Sequence, residues 1–301
     1  EEMVRELVLT GTENQLVKEA SAFIQEGYLY YSEIIVDRLL EIDPESSNYN
    51  YRKGFLVLKI LKDHNKAIPY FEKAILDVDP NYDMYSTKET SAPNDAFYHL
   101  AKCHHLNEDI NKAHEYYSKF LAISKKDSEL LPVARMNLQQ CANARQAIAN
   151  PKNVFLKNIG PTINTNFPEY SPVISLDGGS LYFTSRRPWA NNETENMKDP
   201  GINQYPEDIY VSYLNIEDSS WTKPDKLEFC QPKRNEATIA ISSDERKIYI
   251  YEDSTGFGDI YYTDFYHAKF QEIEALNIPN VNTDYWETHC MMTHDKQSLF
   301  F

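Results

Sequence analysis

The sequence is poor in the features that would place it in several large classes of protein. Its 301 residues include only 30 Lys and Arg against 46 Asp and Glu, which gives a net charge of −16. Nucleic-acid affinity is carried largely by Lys and Arg, and anionic membrane surfaces attract basic segments. We therefore expect neither nucleic acid nor a membrane surface as a partner. No apolar run approaches the roughly 20 residues that span a bilayer, so no membrane span is predicted.

Cysteine is also scarce. Cys103, Cys141, Cys230 and Cys290 are widely spaced, and no CxxC pair occurs. This spacing excludes the common zinc patterns and a dense disulfide framework. Cys141 falls on the apolar stripe of a predicted helix, which favours burial over reactivity.

The apolar pattern in the first half of the chain predicts a series of helical hairpins. Residues 13–125 have helical apolar periodicity with a frame of about 34 residues. Small residues stand where paired helices would touch, and Pro follows two of the second helices. These positions include Ala20, Ser32, Pro44, Ala67, Ala74, Pro80, Ala101 and Ala113. The pattern resembles the tetratricopeptide repeat.

The resemblance has departures in the second and third repeats. Phe55 occupies the expected small position of the second repeat, with Gly54 one place away. A loop over residues 81–94 separates repeats two and three. Residues 128–150 then predict one long helix, with Pro132 in its first turn, where proline is tolerated. Such a helix would cover the apolar face of the last repeat, as solenoid ends require.

From about residue 153 the apolar period changes to two, and one pattern occurs three times. Each copy is a strand, a polar turn centred on Asp177, Asp244 or Asp295, and a second strand. A third strand follows in the first two copies. Repeats of this kind indicate propeller blades, and a propeller closes with about 4–8 blades. About two and a half blades cannot close, so we expect the chain to be a fragment of a longer protein.

The blade pattern is similar to the PD40, or WD40-like, repeat of TolB-like propellers, on residues 170–186 above all. The predicted fold class is therefore an α+β multidomain protein. A tetratricopeptide α-solenoid with a capping helix occupies residues 1–150, and a truncated antiparallel β-propeller occupies residues 151–301. This order of domains resembles a family of bacterial cell-envelope proteins that usually continue into an OmpA-like peptidoglycan-binding domain.

The resemblance implies a setting for the protein. Members of the family are periplasmic and associated with the outer membrane, and one belongs to the type IX secretion system. Partners would be other envelope or secretion components, with peptidoglycan bound only through a C-terminal domain absent from residues 1–301. The opening residues Glu1-Glu2-Met3 are not an apolar leader, which leaves a cytoplasmic protein or a removed leader as alternatives.

A solenoid of this kind binds protein segments in a groove lined by the first helix of each repeat. We expect a protein or peptide in that groove, with Tyr51 and Tyr98 as the main anchors, since tyrosines often carry interface energy. The residues predicted to line it are Asn14, Ser21, Gln25, Tyr51, Phe55, Tyr98, Lys102 and His105.

No pattern in the sequence predicts a catalytic residue, a cofactor or a metal. Glu169, Glu236 and Glu287 recur once per blade, which is typical of structural residues. His99, Cys103, His104 and His105 lie on one predicted helix, but no further zinc-ligand spacing follows, so we expect a packed Cys with exposed His. The acidic residues of the first-blade insertion lack the order of a calcium loop and predict solvated carboxylates. They are Glu193, Glu195, Asp199, Glu207 and Asp208.

These observations favour a non-enzymatic periplasmic scaffold that links an envelope complex to the cell wall, in type IX secretion or the related gliding apparatus. Two alternatives stay open at this point. One is a general OmpA-family envelope stabiliser without a secretion role. The other is a propeller hydrolase regulated by its tetratricopeptide repeats.

Overall fold

The computed structural model describes residues 2–190, 193–194, 196–199 and 201–301. The chain divides into two compact units, Glu1–Val154 with Pro200–Asn203, and Phe155–Asp199 with Gln204–Phe301. The first contains helices and the second antiparallel strands. The predicted fold class, a helical-repeat solenoid followed by antiparallel blade-type sheets, is confirmed.

The described residues contain eight helices. In chain order they are α1 (Glu2–Thr10), α2 (Glu13–Glu26), α3 (Leu29–Ile42), α4 (Ser47–Ile60), α5 (His64–Ala74), α6 (Asp95–Leu106), α7 (Ile110–Ile123) and α8 (Leu130–Ala149). Helices α2 to α7 form three hairpins. Among the residues that the structure describes, no helix combines the length and apolar character that crossing a bilayer requires.

Local signals explain where the helices begin and end. The Thr12 hydroxyl and the Gln15 side chain cap α2 reciprocally, and Gly27 ends the helix in the left-handed conformation at φ 83°. Asp63 and Asp109 each accept a backbone N–H bond at the starts of α5 and α7. These caps fix the hairpin frame that the periodicity predicted.

Helix α1 was not predicted. It precedes the first hairpin, and its Val4 is buried against the core that also contains Leu16 and Ile35. Its nine residues are too few for a clear apolar period.

The expected departure at Gly54 was wrong. Gly54 is buried, and a Cβ on it would lie 2.9 Å from the ring of Phe71. Gly54 therefore occupies the small position at which α4 and α5 touch, whereas Phe55 is only half-buried. The second repeat has no irregularity at this point, and its frame begins one residue earlier than predicted.

The last helix closes the solenoid. Leu131, Ala134 and Cys141 of α8 pack into one buried cluster with Tyr117 and Phe120 of α7. Cys141 is fully buried, as its place on the apolar stripe predicted.

The strands form two larger sheets and a short hairpin. They are β1 (Glu169–Ile174), β2 (Ser180–Ser185), β3 (Asp208–Asn215), β4 (Ser220–Trp221), β5 (Asp225–Lys226), β6 (Glu236–Ile241), β7 (Lys247–Glu252), β8 (Asp259–Tyr266), β9 (Lys269–Phe270), β10 (Glu274–Ala275), β11 (Met291–Met292) and β12 (Leu299–Phe300). The first sheet has the order β1-β2-β3-β4 with β5 also on β3, the second has the order β10-β8-β7-β6 with β9 also on β8, and β11 pairs with β12.

The predicted aspartate turns are confirmed in all three copies. Asp177 accepts hydrogen bonds from the Ser175 hydroxyl at 2.6 Å and the Gly179 amide at 2.8 Å. Asp244 and Asp295 accept the equivalent hydroxyl bond, each at 2.6 Å. The recurrence of these residues is therefore structural, since each carboxylate holds the turn between the first two strands of its copy.

Candidate functional site

An open pocket of about 700 Å³ lies on the first-helix face of the solenoid. Helix α4 provides Tyr51 and Phe55, and α6 provides Asp95 and His99. Its rim is formed by the loop after α5 and by the segment that leads into α8. The rim residues include Asp79, Pro80, Tyr82, Lys125, Asp127, Glu129 and Leu130.

The floor of this pocket is aromatic. The ring centroids of Tyr51 and Phe55 are 6.5 Å apart, and that of His99 lies 6.1 Å from Tyr51 and 5.9 Å from Phe55. The imidazole also stacks on Phe71, with centroids 5.5 Å apart and an interplanar angle of 17°. Packed rings of this kind offer large contact areas at little cost in side-chain entropy. We call Tyr51, Phe55 and His99 the aromatic floor.

The electrostatics of the floor follow from this packing. Burial, aided by the nearby positive charges of Lys102 and Lys59, lowers the pKa of His99 to about 4. His99 is therefore neutral at pH 7 and behaves as a flat aromatic group. The Lys59 ammonium lies 5.4 Å from the centroid of Phe55 and keeps a positive charge at the edge of the floor.

The neighbouring part of the same face is filled by the chain itself. We call residues 75–94, which connect α5 and α6, the inter-repeat loop. Its Met84 carbonyl accepts bonds from the Ser21 hydroxyl at 2.6 Å and the Arg52 guanidinium at 2.5 Å. The Tyr85 hydroxyl donates to Gln25 at 2.6 Å. The loop therefore occupies the surface above α2, where a peptide was expected.

The buried side chain of Arg52 links the inter-repeat loop to helices α2 and α4. It is 1% exposed, and besides Met84 it donates to Asn48 and to Ser21, at 2.8 Å each. Asn48 in turn donates from its side chain to the Glu89 carbonyl at 2.8 Å and from its backbone to Thr90. The guanidinium needs several acceptors when buried, and the loop backbone supplies one of them.

The structure brings two of the eight predicted groove residues, Tyr51 and Phe55, into the pocket. Ser21 and Gln25 lie on the predicted face, but the inter-repeat loop covers Ser21 and bonds Gln25. Asn14 is exposed on the first turn of α2, outside the pocket.

The prediction of Tyr98 as an anchor is at odds with its position. Tyr98 is 5% exposed and packs against Tyr117 and Phe120, with Asn137 Nδ2 donating to its hydroxyl at 3.5 Å. It belongs to the core between α6, α7 and α8. Lys102 is exposed, and His105 is half-buried with its ring 6.0 Å from that of Tyr117. In α6 the pocket-facing positions are Asp95 and His99.

Sequence reasoning missed His99, Asp95 and Tyr82 as pocket residues. A signal for His99 existed, because it shares a helix face with Cys103, which is buried against Phe71 and Leu100. A register counted from that buried cysteine would have placed His99 on the α4 side. The position of Tyr82 had no such signal, because it depends on the fold of the inter-repeat loop.

The expectation for the cysteine and histidines of α6 was only partly right. Cys103 is buried as predicted, and burial raises the pKa of its thiol to about 12. His104, however, is 4% exposed and stacks on Tyr116 at 5.6 Å, so it is not an exposed residue. Its side chain fills space between α6 and α7.

The acidic insertion is also not uniformly solvated. Glu207 forms an ion pair with Arg186 with both side chains 15% exposed, and Asp208 is 1% exposed at the start of β3. Both carboxylates therefore belong to the sheet and not to a solvated loop. Glu195 lies outside the described residues.

A comparison with protein families supports the helical repeat. Residues 47–80 match the tetratricopeptide repeat model. No curated protein sequence matches the chain. Among solved structures, the chain is similar to the Sgt2 TPR domain from Aspergillus fumigatus, with 17% identity and a TM-score of 0.35 over 50% of this chain and 91% of that domain. It is also similar to TolB from Acinetobacter baumannii, with 14% identity and a TM-score of 0.27 over 42% of this chain and 25% of TolB.

The match at residues 47–80 begins at Ser47, the first residue of α4, and so gives the frame that places Gly54 at the helix contact. Tetratricopeptide repeats are typical of protein–protein interaction, and their stacks create concave binding surfaces. The repeat at residues 47–80 therefore favours a protein or peptide as the class of partner.

The buried guanidinium gives a stability prediction. Arg52→Ala should lower the free energy of unfolding by about 3 kcal/mol, because the change removes three hydrogen bonds, to Asn48, Ser21 and the Met84 carbonyl, and leaves a cavity in the core. Arg38→Ala is the control, since its ion pair with Glu41 is exposed and should contribute less than about 1 kcal/mol. Urea denaturation measures both. Equal effects of the two changes would show that the loop does not depend on Arg52.

His99 gives a prediction for pH. Its folded pKa of about 4 lies below the usual 6.5, so the unfolded chain binds more protons between these values. Stability should then fall as the pH drops from 7 to 4, by on the order of 2 kcal/mol more than in His99→Phe. Denaturation of both proteins at several pH values tests this. Parallel curves would contradict the burial of a neutral imidazole.

Proposed function

We propose that this protein is a non-enzymatic interaction protein whose helical unit binds an extended segment of another protein in the pocket above the aromatic floor. The observation that carries the proposal is the floor itself, three packed rings at the base of an open pocket of about 700 Å³. The tetratricopeptide repeat at residues 47–80 supports the same class of partner.

The chemistry of the pocket favours one kind of segment. A planar or branched apolar side chain would pack on the rings of Tyr51, Phe55 and His99. The pocket lining is more acidic than basic, with four carboxylates (Asp79, Asp95, Asp127, Glu129) against two ammonium groups (Lys59, Lys125). A bound segment should therefore carry an aromatic or large aliphatic residue beside a Lys or Arg.

The cellular setting is proposed from the family resemblance in the sequence alone. The protein would be a periplasmic, outer-membrane-associated scaffold that binds other envelope or secretion components, in type IX secretion or gliding. A link to peptidoglycan would come through an additional OmpA-like domain. A general envelope stabiliser of the same family is the alternative, and loss of secretion without loss of envelope integrity in a deletion strain would separate the two.

The pocket is tested by selecting peptides from a displayed random library on the full chain and measuring their affinity by calorimetry. Phe55→Ala should weaken a selected peptide at least tenfold, which is about 1.4 kcal/mol, since it removes one ring of the floor. Leu76→Ala is the matched control, because Leu76 is 76% exposed and lies outside the pocket. Unchanged affinity for Phe55→Ala, or equal loss in the control, would contradict the proposal.

A further inference from the structure

Each copy of the strand repeat begins near a glutamate, and in two copies a threonine supplies its hydrogen bonds. The Thr165 amide and hydroxyl donate to Glu169 at 3.0 and 2.5 Å, and Arg187 adds a bond at 3.1 Å. In the third copy the Thr283 amide and hydroxyl donate to Glu287 at 3.2 and 2.6 Å. In both copies the carboxylate has donors for both of its oxygens.

The second copy lacks these donors. Pro232 stands four residues before Glu236, and proline has neither an amide hydrogen nor a hydroxyl. Glu252 pairs with Glu236 where Ser185 pairs with Glu169, and Ser254 stands where the first copy has Arg187. Three changes at three equivalent positions thus remove donors or positive charge from around one glutamate.

Glu236 is nevertheless buried, with 0% of its surface exposed. The Gln231 amide donates to its Oε1 at 3.2 Å, and Oε2 has no hydrogen-bond partner among the described residues. A buried carboxylate without compensation costs several kcal/mol. The second copy therefore needs something else beside Glu236.

Two further ligand-type side chains converge on this point. Oxygen or sulfur atoms of Asp208, Cys230 and Glu236 all lie within 4.8 Å of one another, and all three residues are buried. The Trp189 indole donates to Asp208 Oδ2 at 2.7 Å, while Oδ1 has no partner among the described residues. The Ile209 amide donates to the Cys230 sulfur at 3.3 Å.

One N–H group therefore orients each of the three side chains. Such outer donors are what metal-binding side chains usually have, because they fix the direction in which the ligand atom points. The free oxygens of Asp208 and Glu236 and the sulfur of Cys230 remain for a bound ion. Thr238, two residues beyond Glu236 on the same face of β6, also has a buried hydroxyl without a partner in this part of the chain.

Nearby cations do not neutralise the cluster directly. The Lys226 ammonium donates to the carbonyls of Leu227 and Cys230, at 3.2 Å each, and lies 3.9 Å from the centroid of the Trp189 ring. Arg234 is paired with Glu252 at 3.9 Å. Neither of these contacts places positive charge on the free oxygens of Asp208 or Glu236.

We propose that Asp208, Cys230 and Glu236 bind one Zn²⁺ ion in the strand unit. A thiolate with two carboxylates suits a borderline-soft ion, whereas Ca²⁺ and Mg²⁺ prefer oxygen ligands alone. Zinc–sulfur and zinc–oxygen bonds of about 2.3 and 2.1 Å need ligand atoms roughly 3.5 Å apart, so binding would draw these atoms together from their present separations of up to 4.8 Å. The ion would offset the buried charge that the second copy leaves uncompensated.

The site is tested on the full chain with Zn²⁺ and with Co²⁺ as a spectroscopic substitute. Metal-free protein should bind one equivalent of Zn²⁺ by calorimetry, melt at a higher temperature with Zn²⁺ than with chelator, and give a thiolate-to-cobalt charge-transfer band with Co²⁺. Cys230→Ser should remove the band and weaken Zn²⁺ at least tenfold. Cys290→Ser is the matched control, since Cys290 is a buried cysteine of the same unit in a separate apolar cluster.

The competing arrangement is a proton held by the cluster in place of a metal. Burial raises the pKa of Glu236 to about 8 and that of Asp208 to about 6, so one proton could offset part of the charge. In that case the natural protein binds no Zn²⁺, melts identically with and without chelator, and gains stability from Glu236→Gln. That result overturns the zinc site, as does equal Zn²⁺ affinity in Cys230→Ser and Cys290→Ser.

Discussion

The need of buried polar groups for partners determines much of this structure. Arg52 is a charged residue within a helical core, and its guanidinium can stay there because Asn48, Ser21 and the Met84 carbonyl accept its hydrogens. One of these acceptors belongs to the inter-repeat loop, so the same requirement fixes the loop on the face above α2. What remains open on that face is the pocket above Tyr51, Phe55 and His99. The position of the candidate site is thus a consequence of how one buried charge is satisfied.

The same requirement acts in the strand unit. The aspartate turns repeat because each carboxylate accepts a hydroxyl and a backbone amide, as Asp177 does from Ser175 and Gly179. Glu169 is supplied by Thr165 and Arg187. Where the second copy departs from this pattern, two carboxylates are left with free oxygens beside a thiol. The departure is local, since the strands of both sheets keep the same antiparallel order.

Much of the fold could be predicted because it depends on periodicity. The change of apolar period separates the helices from the strands, and small residues such as Ala20 and Ala101 mark the contacts between paired helices. The exact register of the helical repeats was predicted less accurately. Gly54 was placed one residue away from the small position it occupies, and Tyr98 was assigned to the groove although it belongs to the core. A shift of one residue turns a helical side chain by about 100°, which is enough to exchange a surface position for a buried one.

The candidate site was less accessible from the sequence for a different reason. Tyr51 and Phe55 follow from the repeat frame, but the inter-repeat loop has no periodicity, and nothing in its residues indicates that its Met84 carbonyl bonds to Arg52. Charged residues are rarely buried without a charged partner, so no pattern in the sequence indicates that Arg52 is buried. The donors missing around Glu236 could in principle be read from Pro232, because threonine stands at that position in the other two copies. The missing donors indicate an ion site only beside Asp208 and Cys230, which the fold brings next to Glu236 from separate segments.

The proposed function depends most directly on where a bound segment lies. Two variants of the full chain test this, one with a photo-cross-linking amino acid at position 55 and one with it at position 76. Each variant is irradiated with a bound peptide that was selected on the natural protein. The aromatic pocket predicts cross-links to the peptide from position 55 and none from position 76. Cross-linking from position 76 alone, or from neither position while the peptide remains bound, would contradict a binding site above Tyr51, Phe55 and His99.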